Sequence, residues 1–164
     1  TKMSIFVTVG TTSFDELTET ITSKPVQKVL QSQGYDKVTI QYGRGKHEVE
    51  NIKSPSYSVV GFRYKDSIAE DIASADLVIS HAGAGSCLEV LGANKPLLVV
   101  VNEMLMDNHQ IELATQLYRD GHLFYCTCST LLETLKSMDL SALKPLPSPK
   151  TNEFTENIVS YFKL

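Results

Sequence analysis

Residues 77–101, LVISHAGAGSCLEVLGANKPLLVVV, indicate most clearly how this chain folds. An apolar strand at residues 77–80 leads into a glycine-rich turn, and a helix is expected from near Ser86 to about Gly92. A second strand follows at residues 97–101, and its nearly continuous apolar character is typical of a strand that is covered on both faces. A strand, a helix and a second strand in this order form a βαβ unit, which predicts a parallel sheet.

The same alternation of strands and helices extends along the rest of the chain. Four more strands are predicted, at residues 4–9, 37–42, 57–62 and 123–127. The sequence therefore predicts an α/β fold, a single Rossmann-like domain over residues 1–164 with a mainly parallel six-stranded sheet.

Local signals mark where the helices begin and end. Ser13 with Glu16, and Thr130 with Glu133, match the capping-box pattern, and Asp66 is a candidate cap for a third helix. Further helices are expected from Pro25 to Gly34 and from residue 108 to Asp120. The three prolines in residues 144–150 indicate a rigid connector. Residues 152–164 form an amphipathic stripe, which predicts a terminal helix that serves either the fold or an interface.

Composition excludes several classes of protein. Lys and Arg number 15 against 19 Asp and Glu, a formal charge of −4, which argues against a nucleic-acid binder. The longest apolar run is far shorter than the roughly 20 residues that a membrane span needs. The polar start of the chain predicts no secretory signal, and three cysteines favour reduced thiols in the cytosol.

Three loops that follow strands are candidates for ligand binding, because ligands of parallel sheets lie beyond the carboxyl ends of the strands. They are Gly10-Thr11-Thr12, the loop of residues 81–86, and residues 103–110. A glycine-rich turn lets backbone N–H groups approach a phosphate, and a helix N-terminus adds partial positive charge. These loops predict an anionic, phosphate-bearing ligand.

Other nucleotide sites match the sequence less well. Gly83-x-Gly85, followed 20 residues later by Glu103, leaves an NAD(P) site open, but Leu88 occupies the third glycine position. Residues 43–46, GRGK, lack the spacing of a Walker A motif. The chain has no Asp-x-Asp pair to hold a metal on a diphosphate, so no metal site and no separate cofactor are predicted.

The cysteines favour packing over chemistry. Cys126-x-Cys128 with His122 upstream could supply three zinc ligands, but zinc sites usually use wider cysteine spacing. Alternate residues of a strand point to opposite faces, which favours one core and one surface thiol. Cys87, near a helix N-terminus, is expected to have some thiolate character, although no base partner is visible.

Several polar residues near the loops have both structural and functional interpretations. His81 either hydrogen-bonds its own turn or contacts a diphosphate or sugar hydroxyl. Glu89 either benefits from the helix dipole or accepts hydrogen bonds from the two hydroxyls of a ribose. Asp107, Asn108, His109 and Gln110 exceed what one helix cap requires, which favours sugar recognition.

Taken together, LVISHAGAGSCLE, KPLLVV and MDNHQIELA resemble the carboxyl-terminal half of MurG-type glycosyltransferases of the GT-B fold. FVTVGTTSFDEL and HLFYCTCSTLLE extend the resemblance to the small subunits of eukaryotic UDP-GlcNAc:dolichyl-diphosphate-GlcNAc transferases, over nearly the whole chain. The resemblance implies the donor-binding half of a two-domain enzyme. A separate membrane-anchored subunit would supply the acceptor half and recruit this chain from the cytoplasm to the cytosolic face of the endoplasmic reticulum.

The resemblance also implies roles for individual residues. Backbone at Phe62 and Arg63 would hold the uracil, and Glu89 would bind the ribose. The two glycine-rich loops would face the diphosphate, with Gly10, Thr11, Thr12, His81, Gly83, Ala84, Gly85 and Ser86. The GlcNAc hydroxyls would be contacted by His109 and Gln110, with Asn108 beside them.

The implied reaction is a metal-independent, inverting transfer of GlcNAc from UDP-GlcNAc to a lipid-linked acceptor. His81 and His109 are the candidate general bases in this chain, although the partner could supply the base. Two alternatives stay open on the sequence: a UDP-sugar-binding adaptor without catalysis, and another nucleotide enzyme such as an NAD(P) oxidoreductase.

Overall fold

Among the described residues, seven strands pair side by side in one sheet, and six of them run parallel. The structure, a computed structural model, describes residues 3–102 and 108–146, and for residues 108–111 it describes the backbone alone. The strands are β1 (Met3–Thr8), β2 (Tyr35–Gln41), β3 (Ile52–Lys53), β4 (Ser58–Phe62), β5 (Leu77–His81), β6 (Leu97–Val101) and β7 (Phe124–Thr127).

The strand order is β3-β4-β2-β1-β5-β6-β7. The central strand β1 pairs with β2 on one side and with β5 on the other, so the chain winds outward in both directions from β1. Connections from β1 and β5 therefore leave the sheet toward opposite faces and open a crevice between them at the carboxyl edge. The predicted Rossmann-like architecture is confirmed.

In the part of the chain that the structure describes, six α-helices cover the two faces of the sheet. They are α1 (Asp15–Ile21), α2 (Lys24–Ser32), α3 (Ala69–Ser74), α4 (Ala84–Gly92), α5 (Asn108–Arg119) and α6 (Leu131–Ser137). Apolar residues of α1, α2 and α6 share one buried cluster with Ile5 and Val7, and those of α3, α4 and α5 share a second with Phe6. The alternating side chains of β1 thus build two cores, one on each face.

The prediction of six strands was wrong by one. The additional strand β3 has two residues and pairs antiparallel with β4 at the edge of the sheet. Both of its residues are exposed, and neither belongs to a buried cluster. Backbone pairing alone defines this strand, so no apolar alternation marks it in the sequence.

The predicted side-chain caps were also wrong. Helix α1 begins after Phe14, α3 begins after Ile68 rather than at Asp66, and α4 begins at Ala84, two residues before Ser86. At α6, the Thr130 hydroxyl accepts a hydrogen bond of 3.0 Å from the backbone N–H of Thr127 in the preceding 3-10 turn. Thr130 is the N-cap residue of α6, but its side chain makes no cap hydrogen bond to that helix.

The predicted terminal helix of residues 152–164, and most of the connector before it, lie outside the described residues. Among the residues that the structure does describe, no helix is both long and apolar enough to cross a membrane.

Candidate functional site

A cleft of about 410 Å³ lies at the carboxyl edge of the sheet, where the strand order reverses between β1 and β5. Segments that follow β1, β4 and β5 contribute to it, together with Gln41, the last residue of β2. Its lining residues are Gly10, Thr11, Thr12, Gln41, Tyr64, Lys65, Asp66, Ser67, Ile68, His81, Gly83, Gly85, Ser86 and Glu89. This is the position at which parallel sheets bind ligands.

The N-terminus of α4 opens into the cleft. Gly83 is its N-cap in an extended conformation, and no side chain caps the helix. The first intrahelical bond runs from the N–H of Cys87 to the carbonyl of Gly83, at 3.0 Å. The N–H groups of residues 84–86 therefore have no partner within the helix. Free N–H groups at the positive end of a helix dipole attract an anion.

The imidazole of His81 lies between the two glycine-rich turns. A Cβ on Gly10 would approach its Nε2 to 2.9 Å, and a Cβ on Gly83 would collide with its Cε1. Glycine at both positions therefore leaves room for the ring. Burial lowers the pKa of His81, so the neutral imidazole is favoured. A neutral imidazole can accept a proton or a hydrogen bond at the edge of the cleft.

The turn after β1 is bonded internally. The Gly10 N–H donates to the Thr8 hydroxyl at 2.9 Å, and that hydroxyl donates to Gln41 Oε1 at 2.5 Å. The Thr12 hydroxyl donates back to the carbonyl of Val9 at 2.9 Å. Gly10 has a φ of +67°, which glycine adopts without strain. The Gly10 amide is thus occupied within the turn, and Gly10 itself serves the close approach of His81.

The opposite wall follows β4. Tyr64 is exposed, and Lys65 extends its ammonium over the ring of Phe62, 4.4 Å from the centroid. Lys65 Nζ also pairs with Asp71, at 3.1 and 3.2 Å from the two carboxylate oxygens. Phe62 in turn stacks on Phe6 of β1. This wall supplies a hydrogen-bonding phenol and a cation that is already paired.

Eight of the predicted site residues line the cleft: Gly10, Thr11, Thr12, His81, Gly83, Gly85, Ser86 and Glu89. Phe62, Arg63 and Ala84 do not line it. The Phe62 carbonyl accepts the N–H of Tyr42, and the Arg63 guanidinium points to the loop after β2. The side chains of Glu103, Asp107, Asn108, His109 and Gln110 lie outside the described residues.

Sequence reasoning missed the cleft residues Gln41, Tyr64, Lys65, Asp66, Ser67 and Ile68. The available signal was position: residues 64–68 directly follow a predicted strand, and the carboxyl ends of parallel strands share one edge of the sheet. The predicted uracil contacts, Phe62 and Arg63, are the last residue of β4 and the residue after it, directly before this wall, and their role stays a prediction.

The expectations for the cysteines were partly wrong. Cys126 and Cys128 are both buried in the same core cluster, because Cys128 follows β7 in a 3-10 turn where strand alternation no longer applies. Burial raises the pKa of Cys87 to about 12, against the expected thiolate character. His122 bonds the carbonyl of Lys144, and no cluster of three metal-ligating side chains occurs among the described residues.

Comparison with known proteins identifies the family. The model of the glycosyltransferase family 28 C-terminal domain matches residues 4–161. The chain belongs to this family. The human protein "UDP-N-acetylglucosamine transferase subunit ALG13" is 55% identical over 127 residues, which cover 77% of this chain and 11% of that protein. The Yarrowia lipolytica protein of the same name is 38% identical over 156 residues, which cover 92% and 80%.

Solved structures agree with this family assignment. An NMR solution structure of ALG13 is 28% identical, has a TM-score of 0.73, and is matched over 99% of this chain and 98% of that one. Acinetobacter baumannii MurG, at 22% identity and a TM-score of 0.66, shares the fold; the match covers 99% of this chain and 46% of MurG. The chain therefore spans about a tenth of the human relative and about half of MurG.

Proposed function

We propose that this chain is the donor-binding subunit of an N-acetylglucosaminyltransferase that takes UDP-GlcNAc as its donor. Two findings support this proposal most strongly. The chain belongs to the glycosyltransferase family 28 C-terminal domain, and its relatives bear the name UDP-N-acetylglucosamine transferase subunit. A two-domain transferase needs a second half for the acceptor. We infer that a membrane-anchored partner supplies that half, with dolichyl-diphosphate-GlcNAc as acceptor, at the cytosolic face of the endoplasmic reticulum.

The observation behind this proposal is the uncapped N-terminus of α4 at the bottom of the cleft. Its N–H groups suit the diphosphate of a sugar nucleotide. Glu89 lies five residues after Ala84, about 7–8 Å along the helix axis at 1.5 Å per residue. That spacing supports the proposal that the exposed Glu89 carboxylate accepts hydrogen bonds from the two hydroxyls of a ribose next to the bound diphosphate.

The proposed reaction is an inverting displacement. An acceptor hydroxyl attacks the anomeric carbon of GlcNAc, and the bond from that carbon to the UDP oxygen breaks with its electron pair on the diphosphate. The proton of the hydroxyl passes to a general base, for which His81 and His109 are the candidates in this chain. Negative charge grows on the diphosphate, so preorganised N–H groups at α4 stabilise the transition state more than the ground state.

Glu89 provides the most direct test of the donor site. We expect Glu89→Ala and Glu89→Gln to raise the KM for UDP-GlcNAc about tenfold or more, because a charge-assisted hydrogen bond contributes roughly 1.5–3 kcal/mol. Glu70→Ala, which removes an exposed carboxylate of α3 outside this cleft, is the matched control. An unchanged KM in both Glu89 variants would remove the ribose role.

The two-subunit proposal is tested by transfer assays on the chain alone, the partner alone and both together. Full activity of the chain alone would contradict it, and donor binding without product in the assembled pair would favour the adaptor. Thermal shifts with UDP-GlcNAc and with NAD distinguish the nucleotide, because a ligand of the native state raises its melting temperature. Binding that requires added magnesium would contradict a metal-independent site.

A further inference from the structure

The loop of residues 43–47, here called the basic loop, is held rigidly beside the cleft. Gly43 and Gly45 are buried, whereas Arg44 and Lys46 are exposed. Arg63 Nη1 donates to the carbonyls of both glycines, at 3.0 and 2.9 Å, and its guanidinium lies over the Tyr42 ring, 4.8 Å from the centroid. Arg63 thus holds the backbone at the two buried glycines, and the exposed side chains of Arg44 and Lys46 alternate with these glycines along the loop.

Four of the five backbone N–H groups of the basic loop, all except that of the buried Gly43, donate to acceptors within the protein. The Arg44 N–H donates to the Thr12 carbonyl at 2.9 Å, and the Gly45 N–H donates to the Tyr42 carbonyl at 3.1 Å. The N–H groups of Lys46 and of the following residue both donate to the Asp15 carboxylate, each at 3.2 Å. The loop therefore cannot cradle a phosphate with its backbone, and its side chains are the groups it offers to a ligand.

The basic loop adjoins the rim of the cleft. A Cβ on Gly43 would collide with the carbonyl of Thr12 and lie 3.1 Å from that of Gly10. Thr11 and Thr12 line the cleft and are exposed. Arg44, bonded through its backbone to Thr12, is thus a direct neighbour of the cleft rim.

The cleft needs more positive charge than its own lining provides. The charged side chains that line it are Lys65, Asp66 and Glu89, and Lys65 is paired with Asp71. In the proposed reaction the acceptor brings a second diphosphate toward the diphosphate of the donor, and like charges repel. Within residues 3–102 and 112–146, no hydrogen bond or ion pair engages the side chain of Arg44 or Lys46.

The nearby carboxylates have other contacts. Glu48 pairs with Arg63 at 3.2 Å, and Glu19 lies 3.9 Å from His47. Asp15 accepts the two backbone N–H groups of the loop. Arg44 and Lys46 are therefore two exposed cations without a side-chain partner among the described residues. Arg44 adjoins the rim of the cleft in which the proposed reaction brings two diphosphates together, and Lys46 lies two residues further along the same loop.

We propose that Arg44 and Lys46 bind the diphosphate of the acceptor substrate. This role rests on the proposed transferase function and adds to it a second anion site, distinct from the α4 N-terminus that takes the donor. The site recognises a diphosphate by charge-assisted hydrogen bonds from side chains alone.

The test is steady-state kinetics on the assembled pair, with a GlcNAc-diphosphate acceptor on a short isoprenoid tail in detergent micelles. Arg44→Ala combined with Lys46→Ala should raise the acceptor KM about tenfold and leave the donor KM within about twofold. The exchange Arg44→Lys with Lys46→Arg should restore most of the affinity. Lys24→Ala with Lys28→Ala removes the same charge from the exposed side of α2 and should change neither constant.

Other outcomes overturn the proposal. For the double alanine variant of Arg44 and Lys46, these are an unchanged acceptor KM, a rise in the donor KM instead, or loss of co-purification with the partner. An effect that appears only on vesicles of anionic phospholipid would also overturn the proposal. Failure of the unmodified pair to transfer GlcNAc would count against the proposed function itself.

A titration that does not depend on activity distinguishes failure of the second anion site from failure of the proposed transferase function. With inorganic pyrophosphate added to the full chain in excess UDP, we expect NMR shifts at the amides of residues 43–47 that the double alanine variant lacks. The absence of such shifts in the unmodified chain would overturn the second anion site.

Discussion

The two glycine-rich turns at the centre of the sheet differ in how their backbone amides are used. In the turn after β1, the Gly10 N–H is occupied by Thr8, which is itself bonded to Gln41. In the turn after β5, Gly83 leads into α4, and no side chain caps the first amides of that helix. Both turns face the same cleft, and His81 lies between them.

This difference shows that glycines in similar sequence motifs can be used differently within one proposed phosphate site. Both glycines leave room for the His81 ring, and Gly83 in addition leads into the free N–H groups at the start of α4. The sequence motif is similar in both turns, but the Gly10 amide has a partner within its own turn, whereas the first amides of α4 have none within the helix. The turn after β1 should therefore respond to mutation mainly through stability, and the turn after β5 mainly through donor affinity.

The largest effect is expected for Gly10→Ala. Gly10 has a φ of +67°, and a Cβ would lie 2.9 Å from His81 Nε2. The left-handed conformation costs alanine about 1–2 kcal/mol, and displacement of the ring adds about 1–2 kcal/mol, a loss of about 2–4 kcal/mol in the free energy of unfolding. Urea denaturation measures this loss.

Gly85→Ala is the control for the other turn. No atom lies within 4 Å of a Cβ placed there, and the residue is in the first turn of α4. We expect an unchanged or slightly higher free energy of unfolding, since alanine favours a helix by about 0.5–1 kcal/mol over glycine. Equal losses in the two variants would contradict the distinction between the turns.

Ala84→Pro tests the amides of α4 directly. Gly83, the preceding residue, has φ −71° and ψ 128°, a conformation that proline accepts in its neighbour, and position 84 is the first residue of the helix. The substitution removes one N–H that makes no intrahelical bond. We expect the Kd for UDP-GlcNAc to rise about tenfold by calorimetry, with the melting temperature nearly unchanged.

Ala84→Ser, which keeps the N–H, should bind the donor like the unmodified chain. If Ala84→Pro binds equally well, the diphosphate does not use this amide, and the open turn does not differ functionally from the closed one.

The central part of this fold could be predicted because its strands are buried on both faces. Residues 77–80 and 97–101 lie within one residue of the observed strands β5 and β6, and both are almost entirely buried. Such apolar runs follow from local composition alone. The exposed strand β3 depends on backbone pairing with β4, which local composition does not encode.

The candidate site, too, could be predicted only where local composition reveals it. The glycine-rich turns were predictable because their residue types are unusual, whereas the wall of residues 64–68 reaches the cleft only because β4 lies beside β2. The capping pattern of Thr130 and Glu133 failed for a related reason. The preceding 3-10 turn uses the Thr130 hydroxyl, and two overlapping local patterns cannot be ranked without the three-dimensional structure.

The smallest expected effect is the pH dependence due to His81, which contacts both turns. Burial lowers its pKa in the folded chain, while the unfolded chain keeps an ordinary pKa of about 6.5. As the pH falls below about 6.5, the unfolded chain therefore binds a proton before the folded chain does, and the free energy of unfolding decreases until the lowered folded-state pKa is reached. Above about pH 6.5 the neutral ring makes its full contribution to the free energy of unfolding.

Denaturation of the unmodified chain and of His81→Asn across this range isolates the effect, because the two chains differ only at this residue. A bound diphosphate at the α4 N-terminus should raise the pKa of His81, and an NMR titration with UDP that shows no rise would separate the ring from the open turn.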